Sequence, residues 1–500
     1  MNTNNAYIGI DLGSTNIKTG LYGMGSGLER IALLARPLEY NRDGSMVEFS
    51  AGAVADTVFE LLRELGKTAA ENNLAIREIT LTGQAESLVL LGADGRPLRP
   101  AISWMDERSG AECKEIAAAV TPSEYYCITG QKGVYPTWPA TKILHLTRSE
   151  SGVIAKTKTF VLLKDYIGYC LSGNLSADKS IATFSSYFDI HSGEYWKKMM
   201  DICGIREEQL PPLVEPLSVL GRLSADPAPG PAFTDTLVNT GTLDHFAGMI
   251  GNGIVTPGAL SESTGTVLGM SALARLPLSG RETSALHYGP FPGTMVLLPV
   301  VESGGVCLEW FRERFFPELS FAGLDERIAK CRCEKLLFLP YLVGVNAPEY
   351  DRGACGVFFG LRSETTAEEM ARAVMEGVAL LLDKNLADMR REGLEFTHII
   401  STGGAAKSDL WSQIKADICG LEIRIPLESE AACFGAGIIG AVNCGEFTGY
   451  EDAAGKCVRI NKRFFPAKDP AVISSCKVKK AGFAALYEGM TGTVRAMASC

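Results

Sequence analysis

The sequence predicts an α/β chain folded as two large domains, and three observations predict it. Five hundred residues exceed what one ordinary hydrophobic core holds. Short apolar runs that end in polar, glycine-bearing clusters alternate with stretches of helical periodicity. A strand–turn–strand pattern at residues 8–18 returns in altered form at 258–270, as two related halves would require. The division is expected at 253/254.

The opening pattern is Ile8-Gly9-Ile10-Asp11-Leu12-Gly13-Ser14-Thr15-Asn16-Ile17-Lys18. Tyr7 to Ile10 suits a buried strand, and Ile17 to Tyr22 reads as a second. The turn between them can cradle a phosphate and its metal. Gly13 admits a close ligand, and Ser14 and Thr15 offer hydroxyls and turn amides. Asp11 can hold Mg²⁺, which takes oxygen ligands, and Lys18 can reach back to a phosphate. Taken alone, the same residues suit an ordinary polar hairpin.

Ser50 to Ala70 has helical periodicity through Val54, Val58, Leu61, Leu62 and Leu65. Gly66-Lys67-Thr68 is no P-loop, because position 61 is Leu where that motif needs glycine. Ile79 to Leu81 reads as a strand ending in Thr82-Gly83-Gln84-Ala85-Glu86, at the edge where α/β ligands sit. Leu88 to Leu91, the Ala93–Arg96 turn and Ala101 to Trp104 read as a hairpin, followed by Met105-Asp106-Glu107-Arg108. Residues 120–235 are less regular. Tyr135 to Pro139 is loop-like, and the proline-rich stretch Pro211 to Pro231 reads as surface loop.

Leu237 to His245 is strand, glycine turn, then the acid Asp244. Phe246 to Ile250 looks helical and closes at Gly251-Asn252-Gly253. Asp244 suits either an N-cap of that helix or a catalytic base. The second pattern, Gly258 to Met270, carries Ser263-Thr264-Gly265-Thr266 between two candidate strands. Leu336 to Leu339 is another strand, and Thr366-Ala367-Glu368-Glu369 is a capping box opening a long buried helix. His398 to Ser401 is a strand ending in Thr402-Gly403-Gly404-Ala405-Ala406-Lys407-Ser408. Ser408 is the expected N-cap of a helix running to about Cys419, with Gly420 as its stop. A Gly-Gly loop before a helix N-terminus suits a nucleotide phosphate, and equally a routine βα connection. Phe434 to Gly440 places small residues along a helix, which close packing alone explains.

Net charge is −10 and no basic run appears, which argues against nucleic acid and anionic membranes as partners. No apolar run approaches the roughly 20 residues of a membrane span, and the polar N-terminus carries no signal peptide. The fourteen cysteines are scattered, without Cys-x-x-Cys, and Cys331-Arg332-Cys333 is too tight for a zinc pattern. Reduced thiols in a cytoplasmic protein are expected. The five histidines form no metal pattern. A homodimer is compatible with the chain.

These pieces resemble, in order, the motifs of the FGGY family of carbohydrate kinases. Asp11-Leu12-Gly13-Ser14-Thr15 is similar to the first phosphate motif, Gly241-x-x-Asp244 to the catalytic-base motif, and Ser263-Thr264-Gly265-Thr266 to the second phosphate motif. Gly356 to Leu361, with Glu369, Ala373 and Glu376, resembles the C-terminal signature. Gly403-Gly404-Ala405-Ala406-Lys407-Ser408-x-x-Trp411, with Ala416-Asp417-Ile418, resembles the adenosine motif. The resemblance implies two actin/hexokinase-like (RNase H-like) domains with the active site in the interdomain cleft. Residues 1–253 would bind sugar, and 254–500 would bind adenosine. It implies ATP and Mg²⁺ as cofactors and Asp244 as general base, with Asp11 and Asp244 at the metal. Gly13, Ser14, Thr15, Lys18, Gly265, Thr266, Gly403, Gly404, Ala405 and Ser408 would contact the nucleotide.

The resemblance implies a small sugar or polyol as acceptor, with D-xylulose the first choice. Xylulose kinases of the family carry Gln-Met-His-Gly and glycerol kinases Gln-Arg-Glu-Thr where this chain has Gln84-Ala85-Glu86-Ser87. Glu86 is thus similar to the glycerol-kinase acid, while Ala85 leaves room for a longer substrate. Gly92 to Asp106 is closer to the xylulose-kinase style. Gln84, Ala85, Glu86, Trp104, Asp106, Asp244 and His245 are the candidate acceptor residues. Two departures alter the pocket. Gly344-Val345-Asn346-Ala347-Pro348 lacks the family's Glu-Arg pair, and His145 stands near Lys142 where Trp is common. Alternatives are a kinase of L-fuculose, a tetritol or glycerol, an actin- or chaperone-like ATPase, and a nucleotide-binding regulator without catalysis.

Overall fold

The computed structural model describes residues 4–224, 230–275, 284–331, 335–351 and 353–498, with side chains through 493. The chain forms two compact units. The first is Met1–Val255 with Leu286–Val296 and Glu430–Val458, and the second is Thr256–Ala285, Leu297–Ser429 and Arg459–Cys500. The first cut falls close to 253/254. The segment Glu430–Val458, in the C-terminal half of the sequence, counts with the first unit.

In the first unit one sheet contains β1 (Asn5–Leu12), β2 (Asn16–Met24), β3 (Leu28–Pro37), β4 (Ala75–Gly83), β5 (Val219–Arg222) and β6 (Leu237–Leu243), in the order β5-β6-β4-β1-β2-β3. β4 runs parallel to both β1 and β6, and Leu12 and Leu243 both pair with Gly83. Three central strands therefore end along one edge, where loops bearing polar side chains begin. α1 (Ala51–Glu71) starts at Ser50, whose hydroxyl accepts from the Ala53 amide. It lays Val54, Val58, Leu61, Leu62 and Leu65 against the sheet. Each such buried aliphatic side chain is worth about 1.5–3 kcal/mol. The helix Ala431–Asn443 covers the other face of β1 and packs on α4 (Asp244–Gly251). A Cβ on Gly435 would lie 1.8 Å from the Ala247 carbonyl, so the small residues of this helix serve packing.

Residues 120–235 are more regular than their sequence suggests. They hold Pro122–Thr129, α2 (Pro139–Ser149), Ser151–Lys156, α3 (Leu163–Ser172), Lys179–Ala182 and Lys197–Cys203. These helices are too short to show several periods. Pro122 and Pro139 mark starts rather than breaks, each in the first turn of its helix. The proline-rich stretch also contains Leu213–Val214 and β5, while Pro227-Ala228-Pro229 lies outside the described residues.

In the second unit β8 (Leu268–Arg275), β7 (Ala259–Thr264), β9 (His398–Thr402), β10 (Glu422–Pro426) and β11 (Ile460–Phe464) lie side by side in that order. β7 is antiparallel to β8 and parallel to β9, just as β1 is antiparallel to β2 and parallel to β4. α6 (Ala367–Arg391) opens with the expected capping box: Thr366 Oγ1 accepts from the Glu369 amide, and Glu369 Oε2 accepts from the Thr366 amide. Every described cysteine is a free thiol. Among the described residues no helix is long and apolar enough to cross a membrane.

Candidate active site

The β1–β2 turn places Asp11 directly opposite Lys18 in the antiparallel register. The turn is tied down on both sides. Gln84 Nε2 donates to the Gly13 carbonyl at 3.3 Å, and the Leu38 amide donates to the Thr15 carbonyl at 2.9 Å. Ser14 stays half-buried and Thr15 exposed. Lys18 is engaged within the protein. Its ammonium pairs with Glu430 at 2.7 Å, and although burial alone would lower its pKa, that partner and Asp11 raise it.

Asp244 lies on the same edge, at the end of β6. It is the first residue of α4 rather than its N-cap, a position held by Leu243. Asp244 Oδ1 accepts from the adjacent His245 amide at 2.6 Å. Burial raises its pKa, against the charge and backbone N–H of His245. A β-bulge aims it. The register shifts between Asn239 and Thr242, and Gly241 takes φ +60°, where a Cβ would lie 1.7 Å from the Leu81 carbonyl. Sequence reasoning missed what braces this bulge. The fully buried Lys164 of α3 donates to the Thr240 carbonyl at 2.6 Å and to Thr240 Oγ1 at 3.0 Å, beside Asp178 at 3.1 Å. Ser180 joins Asp178 to Thr242. A Lys-Asp pair inside an apolar helix was the available signal.

Asp11 and Asp244 fit a divalent cation. Asp11 Oδ1 is buried without a partner among the described residues, and its pKa is pushed up to about 7, first by burial and then by the charge of Asp244. Among the described residues no three His, Cys, Asp or Glu gather as a cage. Mg²⁺ needs none, since it takes one or two carboxylates with water and phosphate oxygens. The raised pKa carries a stability consequence. From about pH 4 to about 7 the folded chain holds a proton on Asp11 that the unfolded chain has released, so this group's contribution falls as pH rises. Asp11→Asn is therefore expected to melt above the metal-free parent at pH 8, with the gap closing towards pH 4. Added Mg²⁺ should raise the parent's melting temperature at pH 8 and leave the variant's unchanged. Thermal melts of both proteins across that range check this.

Between these acids, after β4, come Gln84, Ala85 and Glu86. The Gln84 amide donates to the Leu12 carbonyl, and its Oε1 accepts from Ser87 Oγ. Ala85 is buried. Glu86 has φ +66° and carries a buried Oε2 without a partner among the described residues. Burial raises its pKa, while the nearby Lys142 ammonium opposes the rise. Lys142 itself is fully buried and donates to the carbonyls of Glu86 at 3.0 Å and Ser103 at 2.8 Å. Trp104 is 37% exposed. Asp106 is fully buried and accepts from Arg108 and from the Val47 amide at 2.6 Å, so its oxygens shape the loop. His145 faces Glu112 instead of the site.

In the second unit the β7–β8 turn exposes Gly265 and Thr266. Below it lies a buried network: Lys415 donates to Glu262 at 2.9 Å and to Thr264 Oγ1 at 3.0 Å, and Thr264 and Ser401 donate to the two Glu262 oxygens. Gly403, with φ +80°, comes so close that a Cβ would lie 2.7 Å from the Thr264 carbonyl. Gly404 is exposed and Ala405 buried. Ser408 Oγ caps α7 (Asp409–Cys419) by accepting from the Trp411 amide. Sequence reasoning also missed α5 (Gly305–Phe315). Its N-terminus has no side-chain cap and sits beside this turn, with the Gly305 amide on the Gly265 carbonyl at 2.8 Å. Such a helix start favours an anion, and Gly304-Gly305 was the signal.

The N-terminal domain of the FGGY family of carbohydrate kinases matches residues 6–251, and its C-terminal domain matches residues 292–444. The chain belongs to the FGGY family of carbohydrate kinases. It is accordingly a phosphotransferase, and the family implies ATP as the donor and a small-molecule sugar as the acceptor. This FGGY kinase is 28% identical to a xylulose kinase of Staphylococcus epidermidis over 465 residues, 92% of each chain. It is 26% identical to a gluconokinase of Bacillus subtilis over 478 residues, covering 93% of this chain and 92% of the other. A xylulose kinase structure from Rhodospirillum rubrum matches with a TM-score of 0.91 and 26% identity, covering 98% of this chain and all of that one.

Proposed function

We propose that this FGGY kinase phosphorylates a neutral ketose, D-xylulose, with Asp244 as the general base. One observation carries the choice of acceptor: Asp11, Glu86 and Asp244 line a single sheet edge. The cation beside Glu86, Lys142, is turned onto backbone carbonyls. A substrate carboxylate would meet acids there without a free counter-charge, and like-charge contacts cost several kcal/mol. A polyhydroxy ketose instead supplies hydroxyl donors for the unpaired Glu86 oxygen. This favours the xylulose kinases over the gluconokinase among the relatives.

In this reading Asp244 takes the proton of the attacking sugar hydroxyl. The new bond joins that oxygen to the γ-phosphorus, the bond to the β-bridging oxygen breaks, and ADP leaves. Asp11, with Asp244 beside it, would hold Mg²⁺, which when bound neutralises charge on the phosphates. Glu86 orients the sugar. Gly13, Ser14 and Thr15 offer amides and hydroxyls to the transferred phosphate. Residues 1–253 thus supply acceptor binding and the base. Residues 254–500 supply the second phosphate turn at Gly265-Thr266 and the nucleotide loop at Gly403, Gly404, Ala405 and Ser408.

ADP release with MgATP, measured against D-xylulose, L-fuculose, a tetritol, glycerol and D-gluconate, tests the acceptor. The expected kcat/KM for D-xylulose exceeds that for gluconate by at least about a hundredfold, a ratio that built-in polar recognition can supply. A preference for gluconate would overturn the electrostatic argument.

A further inference from the structure

His287 sits on the short strand Leu286–Tyr288, whose position is set from both flanks. The Leu286 amide donates to the Gly130 carbonyl at 2.9 Å, and the Tyr288 amide donates to Thr183 Oγ1 at 3.3 Å. The side chain is only 2% exposed. Its ring stacks on Phe184 with centroids 4.5 Å apart and planes at 14°, and meets Phe246 edge-on at 6.5 Å. Nδ1 lies 3.2 Å from the amide nitrogen of Gln131. That nitrogen can only donate, so Nδ1 accepts and the ring proton resides on Nε2. Burial and the neighbouring charge of His245 push the pKa down to about 3, which leaves the imidazole neutral.

Nε2 is buried and has no partner among the described residues. A polar N–H left this way costs free energy unless a ligand satisfies it. Its surroundings point to which ligand. Phe246 follows Asp244 by two residues on α4. On the other side the ring contacts continue from Phe184 to Trp138, next to Thr137, which hydrogen-bonds Glu86. His287 is thus linked through Phe246 and the charge of His245 to the helix that carries the proposed base, and through Phe184 and Trp138 to the loop beside the proposed sugar acid.

We infer that His287 is a specificity-determining residue of the acceptor site, donating its Nε2 hydrogen to an oxygen of the bound ketose. The inference rests on the ketose-kinase reading above and adds a donor to a site otherwise rich in acceptors. Glu86 and Asp244 select hydroxyl groups as donors, and His287 selects an oxygen that accepts. Gln131 is the positioning residue that holds the tautomer.

Steady-state kinetics of the full chain with D-xylulose test this on three variants. His287→Leu is expected to raise the sugar KM by about 10- to 100-fold, with the KM for ATP within about twofold of the parent. His287→Gln, which keeps an N–H donor, should recover part of the loss. Gln131→Met leaves His287 in place but frees the tautomer, and should raise the sugar KM several-fold. A His287→Leu protein with the parent's melting temperature and an unchanged sugar KM would overturn the inference, as would a His287→Gln variant no better than Leu. If His287→Leu does not fold, an unchanged sugar KM in Gln131→Met overturns it. A parent enzyme that turns over no ketose at all would instead overturn the ketose reading, and this inference with it.

Discussion

Asp244→Asn is expected to lower kcat by about 10²–10⁴-fold, the range a general base contributes. The melting temperature should not fall. Burial already disfavours the charged carboxylate, and asparagine keeps its shape and can still accept from the His245 amide, which now meets Asp244 Oδ1 at 2.6 Å. The KM for ATP should stay near the parent's, because the variant removes an interaction gained in the transition state. ADP release under saturating sugar, beside a melting curve, checks both halves. A variant retaining more than a tenth of the parent's kcat would remove Asp244 from the role of base.

Lys415→Met has the largest expected effect on stability. Lys415 and Glu262 are both essentially buried, and Thr264 and Ser401 depend on the same carboxylate. Removing one partner of a buried ion pair costs about 3–5 kcal/mol, because the other charge remains without compensation. The loss should appear in the second unit, where Trp411 reports on it. Its ring lies 5.6 Å from the Lys415 ammonium, and its Nε1 donates to the Met375 carbonyl. The denaturation midpoint followed by that fluorescence should drop sharply. The double variant Lys415→Met, Glu262→Gln should regain most of it, since it leaves no lone buried charge. A single variant as stable as the parent would show that the network is not a unit.

Local chemistry was legible in the sequence wherever a side chain meets its own backbone. Thr366 with Glu369, and Ser408 with Gly420, mark helix ends because capping is decided within four residues. The places of Asp11 and Asp244 on the sheet edge were legible because each stands at the end of a buried strand beside a glycine turn. Partners far apart in the chain were not. Lys18 meets Glu430 across 412 positions, Lys415 meets Glu262 across 153, and His287 meets Gln131 across 156. Periodicity carries no signal for such pairs, so the Lys18–Glu430 pair was not expected and His287 drew no notice. The short helices of residues 120–235 were hidden for another reason: several are one or two turns long, and their first-turn prolines resemble loop punctuation.

The most direct test of the central claim is ³¹P NMR of the parent enzyme with MgATP and D-xylulose. Loss of the γ-phosphate signal matched by a new phosphomonoester, absent with Asp244→Asn, is the expected result. Orthophosphate as the sole new product, formed equally without sugar, would contradict it and return the chain to the ATPase alternative.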